Sequence, residues 1–139
     1  MLKDDITQLV AEGPSADRMR AREAFACLRA ELSAGTVRAA EPDASQPAGW
    51  RVNTWVKQGI LLGFKFGDTV DVSIDHGRVP FYDKDTLPLK KPGLPAGVRI
   101  VPGGSSVRDG AYIAPGVICM PPMFINIGAY VGEQSLIDS

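Results

Sequence analysis

The sequence predicts a mixed α/β front followed by the opening of a parallel β-helix. Three observations carry that reading. From Val101 to the last residues an aliphatic or small apolar side chain returns every sixth position, as Val101, Val107, Ile113, Cys119, Ile125, Val131 and Ile137. Three residues after most of these stands a turn former: Gly104, Gly110, Gly116, Pro122 and Gly128. A period of six matches neither the helical 3.6 nor a free alternating strand, but it is the spacing of a coil in which each hexapeptide makes one wall. The competing reading is a few evenly spaced strands of a sandwich. Thirdly, the residues before the ladder carry helical stripes and one alternating strand.

Taken in order, the first dozen residues form a short helix with Ile6, Leu9 and Val10 on one face and Gly13 at its end. Residues 15–32 follow as an amphipathic helix. Pro14 and Ser15 offer its start, Phe25, Leu28 and Leu32 its stripe, and Gly35 its stop. Thr36 to Ala40 reads as extended, and Glu41 to Gly49, rich in Pro, Ala and Ser, as a surface loop. In the apolar run Trp50–Phe66, Asn53 or Thr54 can cap a helix with Val56, Ile60 and Phe64 on one stripe and Trp55 and Leu62 alongside. Gly59 and Gly63 count against it, leaving a buried strand over Ile60–Phe66 as the competitor. Val70, Val72 and Ile74 alternate with Asp71 and Ser73, a strand that ends at the turn Asp75-His76-Gly77. Pro80 to Pro102, carrying Lys90-Lys91, reads as a connector. The domains predicted are thus 1–97, an N-terminal α/β domain, and 98–139, an incomplete β-helix. In the repeats the residue before each rung is large and apolar (Tyr112, Ile118, Phe124, Tyr130, Leu136), which predicts an outer face buried against other copies of the chain.

Composition narrows the function classes. Fifteen basic and sixteen acidic residues give a formal charge of −1, so no electrostatic footprint for nucleic acid is present. No run of eighteen apolar residues offers a membrane span, and the start Met1-Leu2-Lys3-Asp4-Asp5 lacks a signal-peptide core, so a cytoplasmic protein is expected. Cys27 and Cys119 make neither a metal pattern nor a disulfide framework. No metal is expected.

Hexapeptide β-helices are a fold in which acyltransferases are common, often with a histidine as general base. The single histidine, His76, reads as a solvent-facing turn residue, which moves the search for a base to carboxylates. In the repeats these are Asp109, Glu133 and Asp138. Asp138, next to the inward Ile137, could take a proton from an amine or could simply be a turn residue. Arg99 and Arg108 could each hold a substrate carboxylate bidentately, or could be surface or ion-paired residues. Asn126 reads as a structural hydrogen-bonding residue, and Pro121-Pro122 as an irregular corner.

Several segments resemble the tetrahydrodipicolinate N-succinyltransferase family of hexapeptide-repeat acyltransferases: Trp50–Phe66, Gly35–Glu41, Phe81–Lys84, Gly97–Pro102, Val107–Pro121 and Asn126–Val131. The resemblance runs from about residue 35 to the end. It implies left-handed β-helices assembled as a homotrimer, with active sites between subunits. It implies transfer of succinyl from succinyl-CoA, as co-substrate, to the amine of ring-opened tetrahydrodipicolinate, a dicarboxylate, in lysine and diaminopimelate biosynthesis. No permanently bound cofactor is implied. Two family positions fall on this chain: Arg99, which would hold a substrate carboxylate, and Asp138, which would contact the amine and act as base. Gly132 and Gln134 depart from the family pattern. Because the ladder stops within a repeat, the chain is expected to be C-terminally truncated and inactive alone, with the acyl-CoA contacts beyond residue 139. The alternatives are an acetyl-CoA-dependent transferase on the same acceptor, and a non-catalytic β-helix assembly module.

Overall fold

The computed structural model describes residues 1–139. Three helices come first: α1 (Leu2–Glu12), α2 (Arg18–Ala34) and α3 (Thr54–Phe66). They pack on one another around Ile6, Leu9, Phe25, Leu28 and Val56, all fully buried. The expected stripe of α2 is buried as predicted, and Gly35 ends that helix in the left-handed region at φ 77°. Its start differs from expectation. Gly13–Ser15 form a separate 3-10 turn, and Asp17 is the cap, its carboxylate accepting the Arg20 N–H at 2.8 Å. Asp satisfies an orphan amide that Pro14 and Ser15 are too far upstream to reach.

In α3 the helix prevails over the strand. Its buried line is Val56, Gly59, Leu62, Gly63 and Phe66, while Ile60 and Phe64 lie only partly buried beside it. The glycines that argued against a helix are what let it sit close to α2. A Cβ on Gly63 would lie 2.4 Å from the Phe25 ring, and one on Gly59 2.4 Å from Leu28 Cδ2. Asn53 precedes the helix but makes no cap hydrogen bond; its amide is drawn instead to the Arg38 carbonyl and to Glu41. Glu41 lies in β1 (Ala40–Pro42), which pairs antiparallel with β2 (Trp50–Val52) across the expected loop. No helix of the chain is long and apolar enough to cross a membrane.

A second antiparallel ribbon, β3 (Thr69–Asp71) with β4 (Tyr82–Lys84), continues to a bridge at Ile74–Val79 and turns through Asp75–Gly77. The segment expected to be only a connector therefore supplies its return strand. His76 sits at the exposed tip, in the left-handed region at φ 55°.

From residue 99 the strands are two residues each: β5 (Arg99–Ile100), β6 (Ser106–Val107), β7 (Tyr112–Ile113), β8 (Ile118–Cys119), β9 (Phe124–Ile125), β10 (Tyr130–Val131) and β11 (Leu136–Ile137). All their pairings are parallel and fall on three walls: β5-β8-β11, β6-β9 and β7-β10. The coarse expectation, a helical front followed by parallel strands, holds. The second member of each pair points in. Val107, Ile113, Cys119 and Ile125 are buried, with Ala111, Ala114, Val117 and Met123, in a second apolar cluster. The first member points out, as with the exposed Phe124, Tyr130 and Leu136.

One rung of the ladder is corrected. Tyr112 faces Tyr130 and Ile118 faces Leu136, but Ile118 faces Arg99 and Cys119 faces Ile100. Ile100, not Val101, therefore holds the inward register, and the step to Val107 is seven residues long. Consecutive glycines at positive φ, Gly103 (141°) and Gly104 (93°), absorb the additional residue. The other irregular corner falls where expected, at the cis Pro121–Pro122 bond.

Candidate functional site

The helices seat on the corner between the β6-β9 and β7-β10 walls, and polar residues make that seat. Ser33, at the end of α2, accepts the Gly110 N–H at 2.7 Å and donates to the Asp109 carboxylate. Lys90 reaches the Ser33 carbonyl at 3.0 Å, and Arg29 Nε lies 3.1 Å from Asp109 Oδ2. Burial pushes the Lys90 ammonium below the usual lysine range, while Asp109 partly opposes that shift. Arg108, only 15% exposed, donates to Asp83 Oδ2 at 2.8 Å and to Asn126 Oδ1 at 3.2 Å, with its guanidinium over the rings of Phe64 and Phe124. Asn126 Oδ1 also accepts the Ile127 N–H at 2.9 Å, the structural use expected of it.

These contacts sort the sequence candidates. Arg108 and Asp109 are committed to holding the helices, the ribbon and the coils together. Glu133 is exposed and His76 stands at a remote tip. Sequence reasoning did not single out Ser33, Arg29 or Arg38; the first two belong to α2 and Arg38 to the segment between α2 and β1, and only the packing brings them to the short strands. Arg38 lies with its guanidinium 3.6 Å from the Tyr130 ring centroid, and Tyr130 in turn stacks on Tyr112 at 4.6 Å.

Arg99 and Asp138 occupy the remaining wall, β5-β8-β11. Arg99 is the outward member of β5, in register with Ile118 and, one strand further, Leu136. Asp138 follows Leu136 by two positions and so shares its outward side. Arg99 and Asp138 lie two strand spacings apart and two residues out of register, which puts their backbones about 12 Å apart. Both side chains are exposed. Arg99 makes no ion pair or side-chain hydrogen bond, and the Asp138 carboxylate accepts only the neighbouring Ser139 N–H, at 2.8 Å. Unlike Arg108 and Asp109, both charges remain uncommitted within the chain. Arg99 thus offers a guanidinium free to form a fork with a carboxylate, and Asp138 a carboxylate free to accept a proton. Three surface depressions lie instead on the helical part of the chain, away from both residues.

By its fold the chain is a helical N-terminal region followed by short strands paired in parallel. Residues 2–66 match the family model described as tetrahydrodipicolinate N-succinyltransferase N-terminal. The curated relatives are 2,3,4,5-tetrahydropyridine-2,6-dicarboxylate N-succinyltransferases. That of Xylella fastidiosa (strain Temecula1 / ATCC 700964) is 42% identical over 116 residues, covering 78% of this chain and 38% of the relative. That of Methylobacterium sp. (strain 4-46) is 40% identical over 124 residues, 85% of this chain and 42% of the relative. That of Sodalis glossinidius (strain morsitans) is 37% identical over 124 residues, with the same coverages of 85% and 42%. The chain is a relative of the tetrahydrodipicolinate N-succinyltransferases. It spans about two fifths of the length of the relatives it matches.

Proposed function

We propose that this chain is the front part of an N-succinyltransferase that moves succinyl from succinyl-CoA to the amine of ring-opened tetrahydrodipicolinate. The observation that carries the reading is the pair Arg99 and Asp138, exposed and uncommitted on one wall, in a chain related at about two fifths identity to enzymes of that name. Arg99 binds a substrate carboxylate; Asp138 orients the amine and accepts its proton as nitrogen attacks the thioester carbonyl. The amine loses its proton, the carbon–sulfur bond breaks, and CoA leaves as the thiol. Succinyl-CoA is the co-substrate of this transfer.

The parallel walls, with inward apolar members eighteen residues apart, support a left-handed β-helix over 98–139 beside an N-terminal unit at 1–97. The outward apolar residues support a homotrimer, with the acceptor site between copies. A cytoplasmic location accords with the reaction. Arg99→Ala and Asp138→Asn, made in the longest reading frame containing this chain, test the assignment through CoA release. Each is expected to lower kcat/KM at least tenfold, Arg99→Ala chiefly through KM and Asp138→Asn chiefly through kcat. Unchanged turnover and substrate affinity in both variants would remove it.

A further inference from the structure

Asp109-Gly110 is the one Asp-Gly pair in the sequence, and the packing imposes both members. Gly110 turns at φ 98°, and a Cβ there would lie 2.5 Å from Ile127 Cγ1, so only glycine fits. Asp109 supplies the carboxylate between Arg29 and Ser33 on which α2 is seated. The pair so imposed is chemically labile. With no side chain in the way, the glycine nitrogen can attack the aspartate side-chain carboxyl carbon. A C–N bond forms, the nitrogen gives up its proton, one carboxyl oxygen leaves as water, and a five-membered succinimide results. Water then opens the ring at either carbonyl. The product is aspartate again or isoaspartate, whose main chain runs through Cβ and Cγ.

In the structure one hydroxyl holds both reacting groups. Ser33 Oγ accepts the Gly110 N–H at 2.7 Å and donates to Asp109 Oδ1, and the Lys90 ammonium lies 3.2 Å from the same oxygen. One hydrogen given and two accepted exhaust a hydroxyl. The ammonium beside it disfavours its taking up the amide proton, so the hydroxyl fixes the Gly110 N–H rather than drawing it off. Arg29 Nε, 3.1 Å from Asp109 Oδ2, restrains the other carboxylate oxygen. The main chain is held as well. The Asp109 N–H donates to the Pro88 carbonyl at 2.9 Å, and the Gly110 carbonyl accepts the Gly128 N–H at 3.0 Å. Closing the ring requires the carboxyl carbon to swing onto the nitrogen, which breaks the contacts to Ser33 and Arg29 together.

We propose that Asp109-Gly110 is a latent isomerisation site, kept unreactive by the Ser33 hydroxyl while α2 is docked on the short strands. Ring closure is thereby coupled to docking, because each local opening of the seat frees the pair. Isoaspartate, once formed, adds a main-chain atom to the corner and moves the carboxylate away from Arg29 and Ser33, so α2 loses its seat. The inference stands apart from the transfer reaction and uses neither Arg99 nor Asp138.

The test is the rate of isoaspartate formation in the 139-residue chain at neutral pH and physiological temperature. Enzymatic methyl-ester labelling and peptide mapping across residue 109 measure it. Ser33→Ala is expected to raise the rate about tenfold, the equivalent of one hydrogen bond to a charged group. Ser33→Thr, which keeps the hydroxyl, is expected to stay near wild type. Adding Asp109→Glu to Ser33→Ala is expected to abolish the signal, because the longer side chain must close a six-membered ring. Helical circular dichroism checks folding. Should Ser33→Ala not fold, the wild type with and without urea makes the same comparison, and urea is expected to accelerate the reaction by the same factor or more. A folded Ser33→Ala that reacts at or below the wild-type rate overturns the proposal, as does a wild type equally fast in urea and in buffer. A signal that survives Asp109→Glu places the reaction elsewhere and overturns it too.

Discussion

Gly63→Ala sets two forces against each other with opposite signs. Helix propensity alone favours alanine inside α3 by about 1 kcal/mol. Packing opposes it. The added Cβ would lie 2.4 Å from Phe25 Cε2 and Cζ and 2.6 Å from Cε1, more than 1 Å inside an ordinary carbon contact of about 3.5–4 Å. Phe25 is fully buried, so its ring has no solvent to swing into and α2 must shift. Overpacking of this kind costs about 3 kcal/mol at the upper end of its usual range. The net expectation is a loss of about 2 kcal/mol, or roughly 7 °C in Tm for a chain this long. Two controls grade the effect. At Gly59 the nearest atom is a Leu28 methyl, which can rotate, so Gly59→Ala should fall within about 1 kcal/mol of neutral. Gly132 has nothing within 4 Å of its Cβ position, and Gly132→Ala should change stability by less than about 0.5 kcal/mol. Thermal and urea unfolding by circular dichroism measures all three. If Gly63→Ala unfolds at or above the wild-type temperature, the close α2–α3 approach is wrong.

Arg108→Ala removes two charge-assisted hydrogen bonds and the stacking on Phe64 and Phe124. About 2 kcal/mol of stability should go with them, and amide exchange should rise in residues 69–84, which lose their hold on the coils; an unchanged exchange pattern would argue against the tie. The Arg22 hydrogen bond, the Asp68 N–H and nearby arginines hold the Asp85 carboxyl at about 2, below its ordinary value. Stability from that ionised group is complete above the unfolded value near 4 and is lost as pH falls toward about 2. The Tm gap between wild type and Asp85→Asn should therefore close between about pH 4 and pH 2. A gap constant across that window would contradict the assignment.

Much of the fold was legible because its signals are local. Phe25, Leu28 and Leu32 repeat at helical spacing, and the rungs from Val107 onward repeat at six, so each pattern carries its own geometry. α3 was ambiguous because glycine weakens a helix intrinsically, while the benefit of Gly59 and Gly63 lies on another helix. Asp17 was missed as a cap because Pro14 and Ser15 make an earlier, equally lawful turn. At the candidate site, motif resemblance pointed to Arg99 and Asp138, and the structure adds what sequence could not: Arg108 and Asp109, of the same chemical types nearby, are occupied. Their partners, Asp83, Ser33 and Arg29, are distant in sequence, so no spacing rule could have paired them. Likewise the alternation of Val70, Val72 and Ile74 gave a strand, but not that its apolar side would face away from the chain's own core.

The seven-residue step between Ile100 and Val107 has a directional consequence. With Val101 in the inward place instead, six residues before Val107, β5 would slide by one position against β8. Arg99 would then face Val117, which is fully buried, and Ile100 would face outward beside Ile118. A guanidinium would enter a coil interior with no acidic partner, and the β5-β8-β11 wall would exchange a cation for a methyl group. The Gly103–Gly104 corner thus holds the phase of the strand before it. Losing a single residue there would leave Ile100 six residues before Val107, the regular step, and keep Arg99 outward, so it is the additional glycine that lets the longer corner hold the same phase.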